Sequence, residues 1–277
     1  MSTSSRAPGR ARAAPASPLL PLAVHDLSWH VGDTPLLRRI DLALEARAGC
    51  TAIMGPNGAG KSVLLRLLNG LIAPSAGSIR WNGRPPDADV RRRQAFVFQR
   101  PALLRRSVHD NLDFVLRLVP GSNRAGRAAR ADTLLALAGL TGRERTPARR
   151  LSGGEQQRLA LVCALATEPE ILFLDEPTAS LDPASTQAIE RIVVDSVTAG
   201  TAVVLVTHDA GQARRLADSV IFLAAGRVTE HTPGETFFTE PRSDEARDYL
   251  TGRLVTRTAE SARPLSPIIN EARSTCP

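Results

Sequence analysis

Gly55-Pro56-Asn57-Gly58-Ala59-Gly60-Lys61-Ser62 follows the apolar run Thr51-Ala52-Ile53-Met54 and precedes Val63-Leu64-Leu65-Arg66-Leu67-Leu68-Asn69. The first run reads as a buried strand and the last as a helix, so the loop between them has the pattern G-x-x-x-x-G-K-S in the context of a P-loop. In such a loop the backbone N–H groups cradle phosphate, and the N-terminal end of the following helix favours the same anion. Lys61 is placed to reach the β- and γ-phosphates of a nucleotide, and Ser62 offers its hydroxyl to Mg²⁺. All eight residues, Gly55, Pro56, Asn57, Gly58, Ala59, Gly60, Lys61 and Ser62, are candidate nucleotide-binding positions.

Lysine usage points to the same place. Among 35 Lys and Arg residues, Lys61 is the single lysine. Arginine presents a rigid planar fork, whereas lysine is a compact point charge on a flexible stem that can follow a phosphate chain. A composition that otherwise avoids lysine keeps one where a guanidinium has the wrong shape.

Composition bounds the rest. A chain of 277 residues with 43% hydrophobic content can bury one large α/β core or a domain with a subdomain. No apolar run reaches the ~20 residues that a membrane helix needs. Cys50, Cys163 and Cys276 lie far apart without metal-ligand spacing and read as free thiols. The net charge of +7 invites a nucleic-acid reading. However, the arginines are scattered, with denser groups at Arg91-Arg92-Arg93, Arg105-Arg106 and Arg149-Arg150, and aromatics make up only 4%. Basic stripes with stacking aromatics are absent, so no nucleic-acid partner is expected.

Residues 1–20 are rich in Ser, Ala, Pro and Arg and lack acids, which predicts a disordered N-terminal arm rather than a secretory signal. Residues 255–277 lose hydrophobic periodicity and are expected to form a flexible tail. The expected folded body, 21–254, begins with alternating strands at Ala23–Trp29, Ile40–Leu44 and Ser78–Gly83. A helical block follows, as a subdomain at about 103–166. Short apolar strands then return at Ile171–Leu174, Val203–Val206 and Val220–Leu223, interleaved with helices. That order predicts an α/β fold with a mostly parallel, doubly wound sheet.

Two segments carry further chemistry. Ile171-Leu172-Phe173-Leu174 ends in Asp175-Glu176, which places two acids at the C-terminal end of a buried strand, where open α/β sheets bind ligands. Asp175 can hold Mg²⁺ opposite Ser62, and Glu176 can take a proton from, or orient, the water that attacks a γ-phosphate. In Leu151-Ser152-Gly153-Gly154-Glu155-Gln156-Gln157-Arg158, Ser152 and Glu155 form a capping box at a helix start, and the two glycines leave the backbone bare for an approaching anion.

This last segment resembles the signature motif of ABC (ATP-binding cassette) ATPases. The resemblance extends over nearly the whole body, in family order. Gln99, after Ala95-Phe96-Val97-Phe98, matches the Q-loop glutamine, which implies a link between Mg²⁺, water and a membrane partner. Ser180-Leu181-Asp182 matches the D-loop, and His208 matches the switch histidine that touches the γ-phosphate. The resemblance implies the cassette fold: a parallel core sheet, an N-terminal antiparallel β subdomain and an inserted helical subdomain. It also implies ATP and Mg²⁺ as cofactors, with Ser62, Gln99 and Asp175 at the metal and Glu176, His208 and Gln99 catalytic. Ser152, Gly153 and Gly154 then complete the nucleotide site of a second ATPase subunit, so a homodimer is expected, and Asp182 of the D-loop joins the nucleotide-binding positions. One position departs: where the family usually stacks an aromatic on adenine there is Val31, flanked by Trp29 and His30.

The implied partners are separate permease subunits and, in an importer, an extracytoplasmic binding protein, with the ATPase peripheral at the cytoplasmic membrane face. Gln99–Val108 lies where such cassettes receive the permease, and Leu103-Leu104 beside Arg105-Arg106 is expected to be an exposed docking pair. This segment, with Phe237-Phe238 and Ala246–Leu250, is similar to tungstate/molybdate-type and phosphate-type importers. A tungstate-type oxyanion is the favoured substrate; phosphate or amino-acid import, export, or regulation of a membrane complex are the alternatives.

Overall fold

The computed structural model describes residues 18–45 and 49–253. The expected arm up to residue 17 and the expected tail from 255 lie outside the described residues. Leu19 and Leu20, at the end of the expected arm, are buried in the core, and the Leu19 N–H donates to Glu170 Oε2 at 3.0 Å.

Alternating apolar side chains build β1 (Leu22–Val31) and β2 (Thr34–Leu44), which with β4 (Ala76–Trp81) form an antiparallel sheet in the order β2-β1-β4. Between them in sequence come β3 (Cys50–Met54), with all five residues buried, and α1 (Lys61–Asn69). The helix ends at Gly70 in a left-handed conformation, as expected where a Cβ would be strained. α2 (Ala88–Arg92) leads into β5 (Gln94–Val97).

The helical block consists of α3 (Val108–Leu116), α4 (Arg124–Leu137) and α5 (Gly153–Leu165), capped by Ser107, Asn123 and Ser152 respectively. Each cap side chain accepts the backbone N–H of the third residue of its helix, one of the orphan donors of the first turn. After it, strands and helices alternate: β6 (Ile171–Asp175), α6 (Pro183–Thr198), β7 (Ala202–Val206), α7 (Ala210–Leu216), β8 (Ser219–Ala224), β9 (Arg227–Pro233), α8 (Gly234–Thr239) and α9 (Asp244–Leu250). The main sheet has the order β5-β6-β7-β3-β8-β9, parallel except for β9.

Period-two alternation divides the core. Ile171, Phe173, Val204, Val206 and Ile53 face α1 and the antiparallel sheet. Leu172, Leu174, Val203 and Leu205 face the side of α3 to α6. Ala52, Met54, Val220 and Phe222 pack under α7, α8 and α9. Strands buried on both faces explain why β3, β6 and β7 read as continuous apolar runs rather than alternating ones. The architecture is the α/β cassette predicted from the sequence. Cys50 and Cys163 are free, and burial pushes each thiol up to about 12, so neither is a reactive thiolate.

Candidate active site

β3, β6 and β7 are neighbours in the sheet, and their C-terminal ends bring the P-loop, Asp175-Glu176 and Thr207-His208 together. The P-loop geometry starts at Gly55, with φ 143; a Cβ there would lie 2.0 Å from the Leu223 carbonyl oxygen. Only glycine fits, because both the dihedral and the close approach exclude a side chain. The loop then turns so that no acceptor among the described residues takes the N–H groups of Gly58, Gly60, Lys61, Ser62 and Val63. Unpaired amides at a helix N-terminus form a phosphate cradle, so this loop fits a nucleotide.

Lys61 is 5% exposed, and its Nζ donates to the carbonyls of Gly55 (2.8 Å) and Pro56 (2.9 Å). Burial pulls its ammonium below the ordinary lysine range, while the Glu176 and Asp175 carboxylates push it back up. The lysine thus braces the loop that surrounds it and keeps a third donor for an incoming anion.

Ser62 Oγ donates to Asp175 Oδ1 at 2.7 Å, which joins the first turn of α1 to the end of β6. Arg66, one turn along α1, reaches Asp175 Oδ2 at 3.5 Å. Motif reading missed this arginine, although its i+4 spacing from Ser62 puts both on one helix face. A hydroxyl and a carboxylate oxygen side by side are hard donors suited to Mg²⁺, which takes one or two protein oxygens and completes its shell with phosphate and water.

Glu176 follows with φ 46, a left-handed conformation that is rare for a residue preceding a proline. The Val206 carbonyl accepts its N–H at 3.0 Å, and its own carbonyl accepts from Ala179 at 3.1 Å. Its Oε2 lies 3.2 Å from His208 Nδ1. The sequence placed both residues in the site; their direct pairing is new. Backbone strain of this kind costs on the order of 1–3 kcal/mol and gathers at working sites.

Gln99 is exposed, two residues beyond Val97, which pairs with Leu174 in β6. The preceding carbonyl, that of Phe98, accepts from Gln157 Nε2 on α5 at 3.1 Å, so the helix after Ser152 holds the strand before Gln99. Sequence reasoning did not single out Gln157; its burial at 2% was the missing signal.

Ser152 caps α5 through the expected capping box with Glu155, whose carboxyl is held below its ordinary range chiefly by the Ser152 N–H. Asp182 caps α6 by accepting the Ser185 N–H at 2.9 Å. The two glycines differ in purpose. A Cβ on Gly153 would meet Leu181 at an ordinary 3.7 Å, whereas one on Gly154 would lie 2.2 Å from Ser185 Oγ. Gly154 is therefore needed for packing against α6 within the chain, and only Gly153 leaves bare backbone for a ligand. Ser152, Gly153 and Gly154 make no hydrogen bond to residues 55–62 among the described residues. Val31 is 58% exposed at the end of β1, while Trp29 packs against the core and His30 is exposed.

Docking expectations need one correction. Leu104 is exposed, but Leu103 is half-buried against the helical side of the core. Leu103 turns toward α3 and α5 while its neighbour stays in solvent. Two further large apolar residues in this part of the chain are exposed, Phe114 on α3 and Leu118 in the turn that follows it. A cleft of about 310 Å³ is lined by Phe96, Phe98, Pro101, Ala102, Val115 and Ala160.

The profile of the ABC transporter family matches residues 37–179, a span that includes the P-loop, Gln99, Ser152 and Asp175-Glu176. The chain belongs to the ABC transporter family. This ABC ATPase is 37% identical over 247 residues to phosphate import ATP-binding protein PstB 1 of Vibrio vulnificus (strain YJ016), covering 84% of the chain and 90% of that protein. It is equally 37% identical to PstB of Idiomarina loihiensis, with the same coverage. Among solved structures, cbiO1 of Clostridium perfringens, part of the ABC transporter complex cbiONQ, superposes with a TM-score of 0.71 at 30% identity, over 79% of this chain and 90% of that one. An ATP binding subunit of an ABC transporter superposes with a TM-score of 0.71 at 28% identity, over 84% and 100%. The cassette therefore binds ATP and hydrolyses it as the ATPase subunit of a transporter. No helix among the described residues is long and apolar enough to cross a membrane.

Proposed function

We propose that this ATPase powers import of an oxyanion, phosphate, through separate permease subunits, peripheral at the cytoplasmic membrane face and fed by an extracytoplasmic binding protein. The observation that carries the substrate is the 37% identity, over 84% of the chain, to proteins named as phosphate import ATP-binding proteins. Tungstate, favoured by the wording of Gln99–Val108, is the competing oxyanion. Uptake of labelled phosphate into vesicles holding the cassette and its neighbouring permease, challenged with tungstate and molybdate, separates them. Phosphate uptake that neither competitor displaces supports the proposal, and tungstate uptake without phosphate uptake overturns it.

In the proposed mechanism the amides of Gly58, Gly60, Lys61, Ser62 and Val63 and the Lys61 ammonium hold the β- and γ-phosphates. Ser62, Asp175 and Gln99 are the residues that would hold Mg²⁺, which neutralises phosphate charge when bound. Glu176 takes a proton from the attacking water, and His208, bound to Glu176, faces the γ-phosphate. Ser152 and Gly153, which make no hydrogen bond to their own P-loop among the described residues, complete with Asp182 the site of a second copy, and Gly154 packs against α6. Val31 lies on the adenine side. Val31→Tyr is expected to tighten ATP binding about tenfold, since stacking on an aromatic contributes roughly 1–3 kcal/mol. Titration with a fluorescent ATP analogue checks it, and an unchanged Kd moves the adenine elsewhere.

The permease is proposed to seat on the exposed apolar residues Leu104, Phe114 and Leu118, rimmed by Arg105 and Arg106. Leu104→Asp with Phe114→Asp is expected to abolish co-purification with the permease while the isolated chain hydrolyses ATP at the wild-type rate, because neither side chain enters the site. Intact assembly of that variant removes this surface from the docking role.

A further inference from the structure

Tyr249, the single tyrosine of the chain, lies at the end of α9. Its ring meets Phe222 edge-on, with centroids 5.2 Å apart and planes at 61°. Phe222 is fully buried on β8 and pairs with Met54, the residue that enters the P-loop. From this seat the phenol donates a 3.0 Å hydrogen bond to the backbone carbonyl of His208. Burial raises the phenol above its ordinary range, and the Glu176 and Asp209 carboxylates push the same way. The group therefore stays a protonated donor at neutral pH.

The helix that carries Tyr249 is itself anchored. Glu230 on β9 is 2% exposed, and its Oε2 accepts the N–H groups of Arg242 (3.0 Å) and Ser243 (2.9 Å) and the Ser243 hydroxyl (3.1 Å). Ser243 in turn caps α9 by accepting the Ala246 N–H at 3.2 Å. A buried carboxylate satisfied by several donors is a rigid attachment. Contacts thus run without a gap from β9 through α9 to the His208 peptide. His208 needs such support: its side chain is 57% exposed, and its polar contacts among the described residues are Glu176 Oε2 and the Tyr249 hydroxyl.

We infer that Tyr249 is a positioning residue for ATP hydrolysis, whose hydroxyl fixes the His208 peptide so that the imidazole meets Glu176. It acts through His208 and does not itself touch the nucleotide. The inference rests on the proposed roles of His208 and Glu176, and it makes the α9 segment part of the hydrolytic site.

Tyr249→Phe tests it in the full-length chain, because the ring stays on Phe222 and only the hydroxyl is lost. The expected result is a fall in kcat of about 10-fold with KM for ATP unchanged, since displacements near 1 Å at reacting groups cost up to about 100-fold. Melting at the wild-type temperature is expected alongside. A second arm compares single-turnover hydrolysis by His208→Ala with and without Tyr249→Phe, where no further fall is expected because both changes act through one group. Wild-type kcat in Tyr249→Phe, with His208→Ala impaired, overturns the inference and leaves the active-site proposal standing. Unimpaired hydrolysis by His208→Ala overturns both. An equal fall from Tyr249→Phe in the two backgrounds, or a matching rise in KM, removes the route through His208.

Discussion

Glu176→Gln is expected to hydrolyse ATP about 10²–10⁴ times more slowly than the wild-type chain while binding it with the same affinity. The amide keeps the size of the side chain and can still hydrogen-bond His208 Nδ1, 3.2 Å from the present carboxylate oxygen. It cannot take a proton from water. The left-handed backbone at this position, φ 46, is held by the Val206 carbonyl and the Ala179 N–H, neither of which senses the side-chain change. Fold and loop geometry should therefore survive. On the proposed role of Ser152 and Gly153 at the nucleotide of a second copy, ATP that binds but is not cleaved is expected to leave two copies of the chain locked together. The expected readout is a dimer that elutes early in size-exclusion chromatography with ATP and Mg²⁺, and as a monomer without them. Wild-type turnover in this variant assigns the base elsewhere. Failure to dimerise despite ATP binding removes the signature residues from the shared site.

The two acids, the P-loop and the histidine were legible in sequence because each follows a short run of buried strand residues. Apolar runs of four or five residues fix both the element and the place where it ends, and in a parallel sheet those ends share one edge. Features that depend on side chains from distant segments were not legible. The bond from Gln157 to the Phe98 carbonyl spans 59 positions, and that from Tyr249 to the His208 carbonyl spans 41. Neither has a periodicity or a motif to announce it. Gly154 shows a subtler limit. A motif glycine reads naturally as room for a ligand, yet here the space is filled by Ser185 of the same chain. The exposed-pair reading of Leu103 and Leu104 failed for a similar reason. Residues 101–104 have no regular secondary structure and so no periodicity, and only the tertiary packing decides which of the two leucines finds the core.

Lys61→Ala is expected to weaken ATP binding about 100-fold or more, because hydrogen bonds to charged groups contribute about 1.5–3 kcal/mol each and this ammonium is the one cation inside the loop. Two effects add. The phosphates lose a charge partner, and the carbonyls of Gly55 and Pro56 lose the donor that now meets them at 2.8 and 2.9 Å. The loop is thus less ordered before the nucleotide arrives, as well as less attractive to it. Lys61→Arg discriminates between charge and shape. It keeps the charge, but a planar fork cannot occupy a pocket that leaves the lysine 5% exposed and still donate to two carbonyls and a phosphate. Little rescue is expected. Calorimetric titration with ATP and Mg²⁺ measures both variants. If the arginine variant binds as tightly as the wild type, charge alone suffices, and the survival of a single lysine in an arginine-rich chain needs a cause other than the shape of this cradle.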